Sequence, residues 1–228
     1  MTSQTLIKAV LFDLDGTLID SAPDLHVAAN KLLKEENRQT ITLKQTISMI
    51  GDGVPKIIER AFAATGYNLN EGELDGLVKR YLAFYEPNAA NLTLPFPGAV
   101  ECLRRLRLEG FELAVCTNKP FNATKMILGR LGLTDFFSAV IGGDTLPGAK
   151  KPDPRHLLAA LDIIKISPKN AIMIGDHIND VNAGRAAGMP IIICRFGYTN
   201  GTAENLGGDL VIDHFDELPD VFHKLNQT

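Results

Sequence analysis

Asp13 and Asp15 stand two residues apart, directly after the apolar run Lys8-Ala9-Val10-Leu11-Phe12 and before a Gly16-Thr17 turn. Like charges held so close raise each other's pKa unless a cation compensates them. An oxygen-only pair of this kind suits a hard divalent ion such as Mg2+. Further along the chain, Thr117-Asn118, Lys150-Lys151 and Gly175-Asp176-His177-Ile178-Asn179-Asp180 each follow another apolar run. Hydroxyl, amide, ammonium and carboxylate groups in that order are what a site needs to hold a phosphate and a metal together.

Such residues act together only if the fold brings them to one place. Apolar runs of strand length recur at Ala9–Phe12, Glu112–Cys116, Ser138–Ile141, Ala171–Ile174 and Ile191–Cys194. Their near-continuous apolar character predicts strands covered on both faces, as in a parallel sheet. Helical periodicity fills the intervals: Ala99–Glu109 closed by Gly110, Asn122–Leu131 closed by Gly132, then Pro154–Leu161 and Asp180–Ala187. The alternation predicts an α/β fold with a doubly wound parallel-sheet, Rossmann-like core. In such sheets ligands bind at the carboxyl ends of the strands, where every one of the polar residues above would stand.

One stretch breaks the alternation. From about Ala22 to Leu92 only helical patterns occur: Ala22 to about Asn37, with Ser21 as its capping residue and an early Pro23, then Leu43–Ile50, Val54–Thr65 and Glu71–Glu86. These predict an inserted α-helical cap domain, residues 21–94, between core segments 1–20 and 95–228.

The set Asp13-x-Asp15-Gly16-Thr17, Thr117-Asn118, Lys151-Pro152 and Gly175-Asp176-x-x-x-Asp180 resembles the four motifs of the haloacid dehalogenase-like superfamily, over essentially the whole chain. Residues 12–25 and the run Ile50-Gly51-Asp52-Gly53-Val54-Pro55 are similar to the bacterial phosphoglycolate phosphatases within it. The expected reaction is Mg2+-dependent hydrolysis of a small phosphate monoester. Asp13 would attack phosphorus to give an aspartyl phosphate, and Asp15 would serve as acid and then base. The resemblance implies the same two roles and adds that Asp15 reaches the metal through its backbone carbonyl. Asp176 is expected as the third protein ligand, and Asp180 as a holder of metal-bound water or of Lys151. Lys151 would balance charge on the nucleophile and the phosphoryl group, with Thr117 and Asn118 donating to phosphate oxygens. His177 stands where many relatives carry serine or threonine, and a bystander role is expected for it.

Selectivity is expected from the cap. Gly53 opens a helix whose N–H groups could face an anion, and Lys56 and Arg60 lie one turn apart on it. This favours a small anionic leaving group, with 2-phosphoglycolate first. The rival readings are a phosphatase for sugar phosphates or pyrophosphate, a phosphomutase, and, from another class, a non-catalytic phosphate-binding regulatory module.

Composition narrows the rest. The 228 residues are 45% hydrophobic and 22% charged with a net charge of −4, which argues against a nucleic-acid or anionic-membrane partner. No apolar run reaches the roughly 18 residues of a membrane span, and no secretory signal precedes the first strand. Cys102, Cys116 and Cys194 are widely spaced, as reduced buried thiols are, so a cytoplasmic protein, monomer or homodimer, is expected.

Overall fold

Four strands predicted from continuous apolar runs form the middle of the sheet, and each is buried on both sides because alternate residues feed two different cores. The computed structural model describes residues 6–199 and 201–225; residues 1–5, 200 and 226–228, which the expected core segments include, lie outside it. In chain order the elements are β1 (Ala9–Phe12), β2 (Ile19–Asp20), α1 (Ala22–Glu35), α2 (Leu43–Ile47), α3 (Val54–Ala64), α4 (Glu73–Tyr85), β3 (Leu94–Pro95), α5 (Ala99–Leu108), β4 (Glu112–Cys116), α6 (Phe121–Arg130), β5 (Ala139–Ile141), α7 (Arg155–Ile164), β6 (Ala171–Gly175), α8 (Ile178–Ala186), β7 (Ile191–Cys194), β8 (Leu210–Ile212) and α9 (Leu218–Leu225).

The main sheet has the order β5-β4-β1-β6-β7-β8 and every pairing in it is parallel. Val10, Phe12, Leu113, Val115, Ile172 and Ile174 pack on one face with α5 and α6. Ala9, Leu11, Ala114, Cys116, Ala171 and Met173 pack on the other with α7 and α8. This is the period of two that a strand imposes on its side chains. The chain winds from β1 outward through β4 to β5, then returns to β6 on the other side of β1. The strand order therefore reverses beside β1, and the crevice for a ligand opens at the carboxyl ends of β1, β4 and β6.

Helices α1 to α4 lie between β2 and β3 and pack on one another. β2 and β3 are the two crossings into and out of this helical insert, and they pair antiparallel, Ile19 opposite Pro95 and Asp20 opposite Leu94. Beside them the buried Asp24 of α1 accepts the N–H of Leu92 at 3.0 Å, the N–H of Thr93 at 2.9 Å and the Thr93 hydroxyl at 2.7 Å. Asp24→Ala strips the two N–H groups of their acceptor and leaves the Thr93 hydroxyl with the Ala89 carbonyl alone, 3.1 Å away. It is expected to lower stability by roughly 2–4 kcal/mol, read as a shift in the urea midpoint.

The short strand β8, the β2–β3 pair and the carboxyl-terminal helix α9 were not expected from the sequence. Ser21 precedes α1 as expected but makes no capping bond; its backbone (φ −100°, ψ −3°) departs from the extended cap geometry, and its hydroxyl is turned to Asp15 instead. The three cysteines are free and buried, as expected. Among the described residues no helix is long and apolar enough to cross a membrane.

Candidate active site

Asp13 follows the end of β1 and is almost sealed from solvent, 6% exposed. Lys151, 2% exposed, places its Nζ 2.8 Å from Asp13 Oδ1 and 2.6 Å from Asp180 Oδ1. Among the described residues this ammonium is the one partner of Asp13 Oδ1. Asp176, at the end of β6, accepts the Thr17 hydroxyl on Oδ1 (2.9 Å) and the Tyr198 N–H on Oδ2 (2.7 Å). The turn after Asp15 packs against this carboxylate and leaves no room for a side chain. Gly16 has φ +85°, and a Cβ there would overlap the Asp176 carboxylate.

Asp180 holds Lys151, one of the roles expected of it, and also caps a helix. Its Oδ2 accepts the N–H groups of Asp176 and His177, closing a capping box at the start of α8, while Oδ1 holds Lys151. His177 is the N-cap itself, its Nδ1 accepting the Asn179 N–H. Its ring packs against Gly51, where φ is +120° and any Cβ would collide with the imidazole. Burial lowers the His177 pKa, against the pull of Asp180 and Asp52.

Burial also pushes the Asp13 carboxyl up to about 6; Lys151 opposes this, while Asp180 and Asp15 add to it. Asp176 is raised well above the usual carboxylate range, by burial first and then by Asp13 and Asp180. At Lys151 burial disfavours the ammonium, but Asp13 and Asp180 more than reverse that and hold its pKa above the ordinary lysine value. The pattern is that of a site with too much negative charge. Among the described residues Asp13, Asp15, Asp176 and Asp180 form ion pairs with two ammonium groups, Lys151 and Lys119, a formal excess of two negative charges when all four carboxyls are ionised.

That excess, and an Asp13 Oδ1 whose one partner among the described residues is Lys151, fit a divalent cation. Oxygens of Asp13, Asp176 and Asp180 lie within 4.8 Å of one another. Each Asp176 oxygen accepts a single neutral bond, whereas Asp180 accepts two N–H groups on Oδ2 and the Lys151 ammonium on Oδ1, so Asp13 and Asp176 are the pair best placed to touch a metal.

Lys119 was missed from the sequence. It follows Thr117-Asn118 at the end of β4 and is 5% exposed. Its Nζ lies 2.9 and 3.0 Å from the two oxygens of Asp15 and 4.8 Å from the centre of the Tyr85 ring of α4. Ser21 donates to the same carboxylate at 2.5 Å. The signal was available: a lysine beside polar residues at a strand end is the criterion that picked Lys151.

Thr117 and Asn118 are both buried at the site. The Asn118 side-chain amide donates to the carbonyls of Gly51 and Lys151, each at 3.0 Å, so it ties the loop 51–53 to the core rather than reaching for an anion. Its backbone N–H has no acceptor among the described residues. Asp52 completes the tie: it accepts Asn179 at 2.8 Å and Arg60 at 2.5 Å, and its carbonyl accepts Lys150. Burial works against the Asp52 charge, yet the bonds from Asn179 and Arg60 hold its pKa below the usual value.

The cleft over Asp13 and Asp15 is walled by Leu25, Ile50, Gly51, Gly53, Val54 and Ile57 of the insert and by Thr117, Asn118 and Lys119 of the core. The structure brings Gly53 to it but not Lys56 or Arg60. Lys56 is half exposed and paired with Glu59, and Arg60 is taken by Asp52 and the Met49 carbonyl. A helix periodicity shows which residues share a face, not which face meets the cleft. Lys56→Ala is accordingly expected to change kcat/KM by less than about twofold, since an exposed ion pair of this kind contributes little; steady-state kinetics check it.

Comparison with known proteins agrees with this geometry. Residues 7–188 match the model of the haloacid dehalogenase-like hydrolases. A phosphoglycolate phosphatase from Caulobacter vibrioides is 42% identical over 92% of this chain and 88% of its own length. One from Agrobacterium fabrum is 38% identical over 99% of this chain and 97% of its own. Among solved structures, a predicted phosphoglycolate phosphatase from Haemophilus somnus superposes with a TM-score of 0.88 at 30% identity, covering 97% of this chain and 99% of that one.

Proposed function

The chain belongs to the haloacid dehalogenase-like hydrolases, and from that premise we propose that it cleaves a small phosphate monoester, first of all 2-phosphoglycolate, to alcohol and phosphate. The observation that carries the reading is the buried Asp13, ion-paired to Lys151, in the lining of a cleft that also holds Asp15. The names borne by relatives at 38–42% identity support the choice of 2-phosphoglycolate.

In this reading an Asp13 oxygen attacks phosphorus in line. The new O–P bond forms as the ester P–O bond breaks, leaving an aspartyl phosphate. Asp15 gives its proton to the departing alkoxide, then takes one from the water that attacks the phosphoenzyme, returning Asp13 and releasing phosphate. Lys151 neutralises charge on Asp13 and on the phosphoryl oxygens, and Asp180 keeps the ammonium in place. The Thr117 hydroxyl and the Asn118 N–H are the donors for phosphate oxygens. Asp13, Asp176 and the Asp15 carbonyl would hold Mg2+, which would balance the site's formal excess of negative charge. When bound, the ion supplies positive charge for the phosphoryl oxygens.

The two-part division belongs to the same reading: a core of residues 1–20 and 95–228, and a helical cap of residues 21–94 that encloses the substrate and excludes water. The paired crossings β2 and β3 and the mixed lining of the cleft support it. Three separate free thiols fit a reducing compartment, so the reading places the enzyme in the cytoplasm.

The test is phosphate release from a panel of esters with and without Mg2+. Preference for 2-phosphoglycolate, lost without the ion, is the expected result. Faster release from sugar phosphates or pyrophosphate would replace the substrate. No release from any ester would overturn the hydrolase reading in favour of a mutase or a binding module.

A further inference from the structure

With Lys56 and Arg60 directed elsewhere, the charge that recognises an anionic leaving group must come from another residue. Among the described residues that wall the cleft, Lys119 is the single cation. We propose that Lys119 determines specificity by binding the carboxylate of the leaving group, next to the atom at which the ester bond breaks; this rests on the phosphatase reading above.

The argument is one of position. Asp15 can protonate the leaving oxygen only by standing within hydrogen-bond distance of it. Lys119 Nζ is 2.9 and 3.0 Å from the two Asp15 oxygens and shares the cleft wall with them. Its ammonium therefore stands beside the first atoms of the leaving group. A carboxylate one methylene away from the ester oxygen falls within reach; a longer or uncharged group does not place a negative charge there.

The surroundings strengthen such a contact. An ammonium has three donors; Asp15 takes two, and no third acceptor of Lys119 occurs among the described residues. The Tyr85 ring lies 4.8 Å away, and Leu25, Ile50, Val54 and Ile57 line the cleft with apolar surface. A charge pair excluded from water in this way is worth more than one in solvent. The apolar wall also limits the size of what can follow the carboxylate. Because Tyr85 belongs to α4 of the insert and Lys119 to the core, recognition of the anion is built where the two parts meet.

The experiment compares 2-phosphoglycolate with 2-hydroxyethyl phosphate, which keeps the length and lacks the charge. Its readout is the ratio of the two kcat/KM values, so that any loss common to both substrates through Asp15 cancels. The wild-type ratio should be well above one. It should fall about 100-fold in Lys119→Met, mostly through KM for 2-phosphoglycolate, and less than about tenfold in Lys119→Arg. Lys119→Gln, which keeps a donor beside Asp15 but no charge, should show the same collapse and serves if the methionine variant does not fold. A high wild-type ratio that survives in both uncharged variants overturns the role of Lys119 and leaves the phosphatase reading standing. A wild-type ratio near one overturns the carboxylated substrate, and the role of Lys119 with it.

Discussion

Asp13→Asn is expected to lower kcat for phosphate release by about 10^4-fold or more while leaving the protein at least as stable as before. The kinetic part follows from the loss of the nucleophile: an amide oxygen cannot form the phosphoenzyme, and the remaining groups bind and orient without it. Acid-quenched mass spectrometry should find a phosphoryl group on wild-type Asp13 and none in the variant. The stability part follows from burial. In the protein without divalent cation, the Asp13 carboxyl is raised from 3.8 to about 6, so ionising it at neutral pH costs on the order of 3 kcal/mol relative to the unfolded chain. The sign is fixed by the direction of the shift. Below pH 3.8 the carboxyl is protonated in both states and the cost is absent; it grows as pH rises to about 6 and is constant above. The neutral amide avoids it. The stability advantage of Asp13→Asn should therefore appear between pH 4 and 6, and added Mg2+ should shrink it by stabilising only the wild type. A variant that is less stable than wild type at pH 8 without metal would show that Asp13 is not a source of strain in the site.

The core of the site was legible because its strands are buried on both faces. That burial turns β1, β4, β6 and β7 into continuous apolar runs, and the polar residue that ends each run announces a strand end. β8, only three residues long and half-buried at the sheet edge, offers no such contrast. Asp13, Asp176, Asp180 and Lys151 could be placed together because each follows its strand, or the loop after it, by position alone. Lys119 and Lys56 show where that logic stops. Both are lysines near glycine or polar residues, and only the fold distinguishes the one pressed on Tyr85 and Asp15 from the one paired with Glu59 in solvent. Ser21 shows a related limit. Its type and place announce a helix cap, but the neighbouring Asp15, six residues earlier in the chain, is the acceptor its hydroxyl takes.

Lys151→Met should be the most destabilising single change in the site, by about 3–5 kcal/mol in the absence of metal, and should lower kcat by about 10^2- to 10^3-fold. Among the described residues Lys151 is the one cation between Asp13 and Asp180, at 2.8 and 2.6 Å, and all three side chains are buried. Removing it while keeping its volume leaves carboxylates facing one another without a counter-charge, which costs far more than the ion pair itself is worth. Two second changes separate this account from a simple packing defect. Asp180→Asn in the Lys151→Met background should recover part of the lost stability, although Asp180→Asn alone destabilises, because the double variant removes one of the uncompensated charges; a packing defect would give additive losses. Saturating Mg2+ should stabilise Lys151→Met more than it stabilises the wild type, since the ion then becomes the sole positive charge touching Asp13. Urea midpoints for the four proteins, each with and without Mg2+, decide the matter. Additive losses with equal metal effects would mean that Lys151 fills space and that the charge excess around Asp13 and Asp176 is balanced by other means.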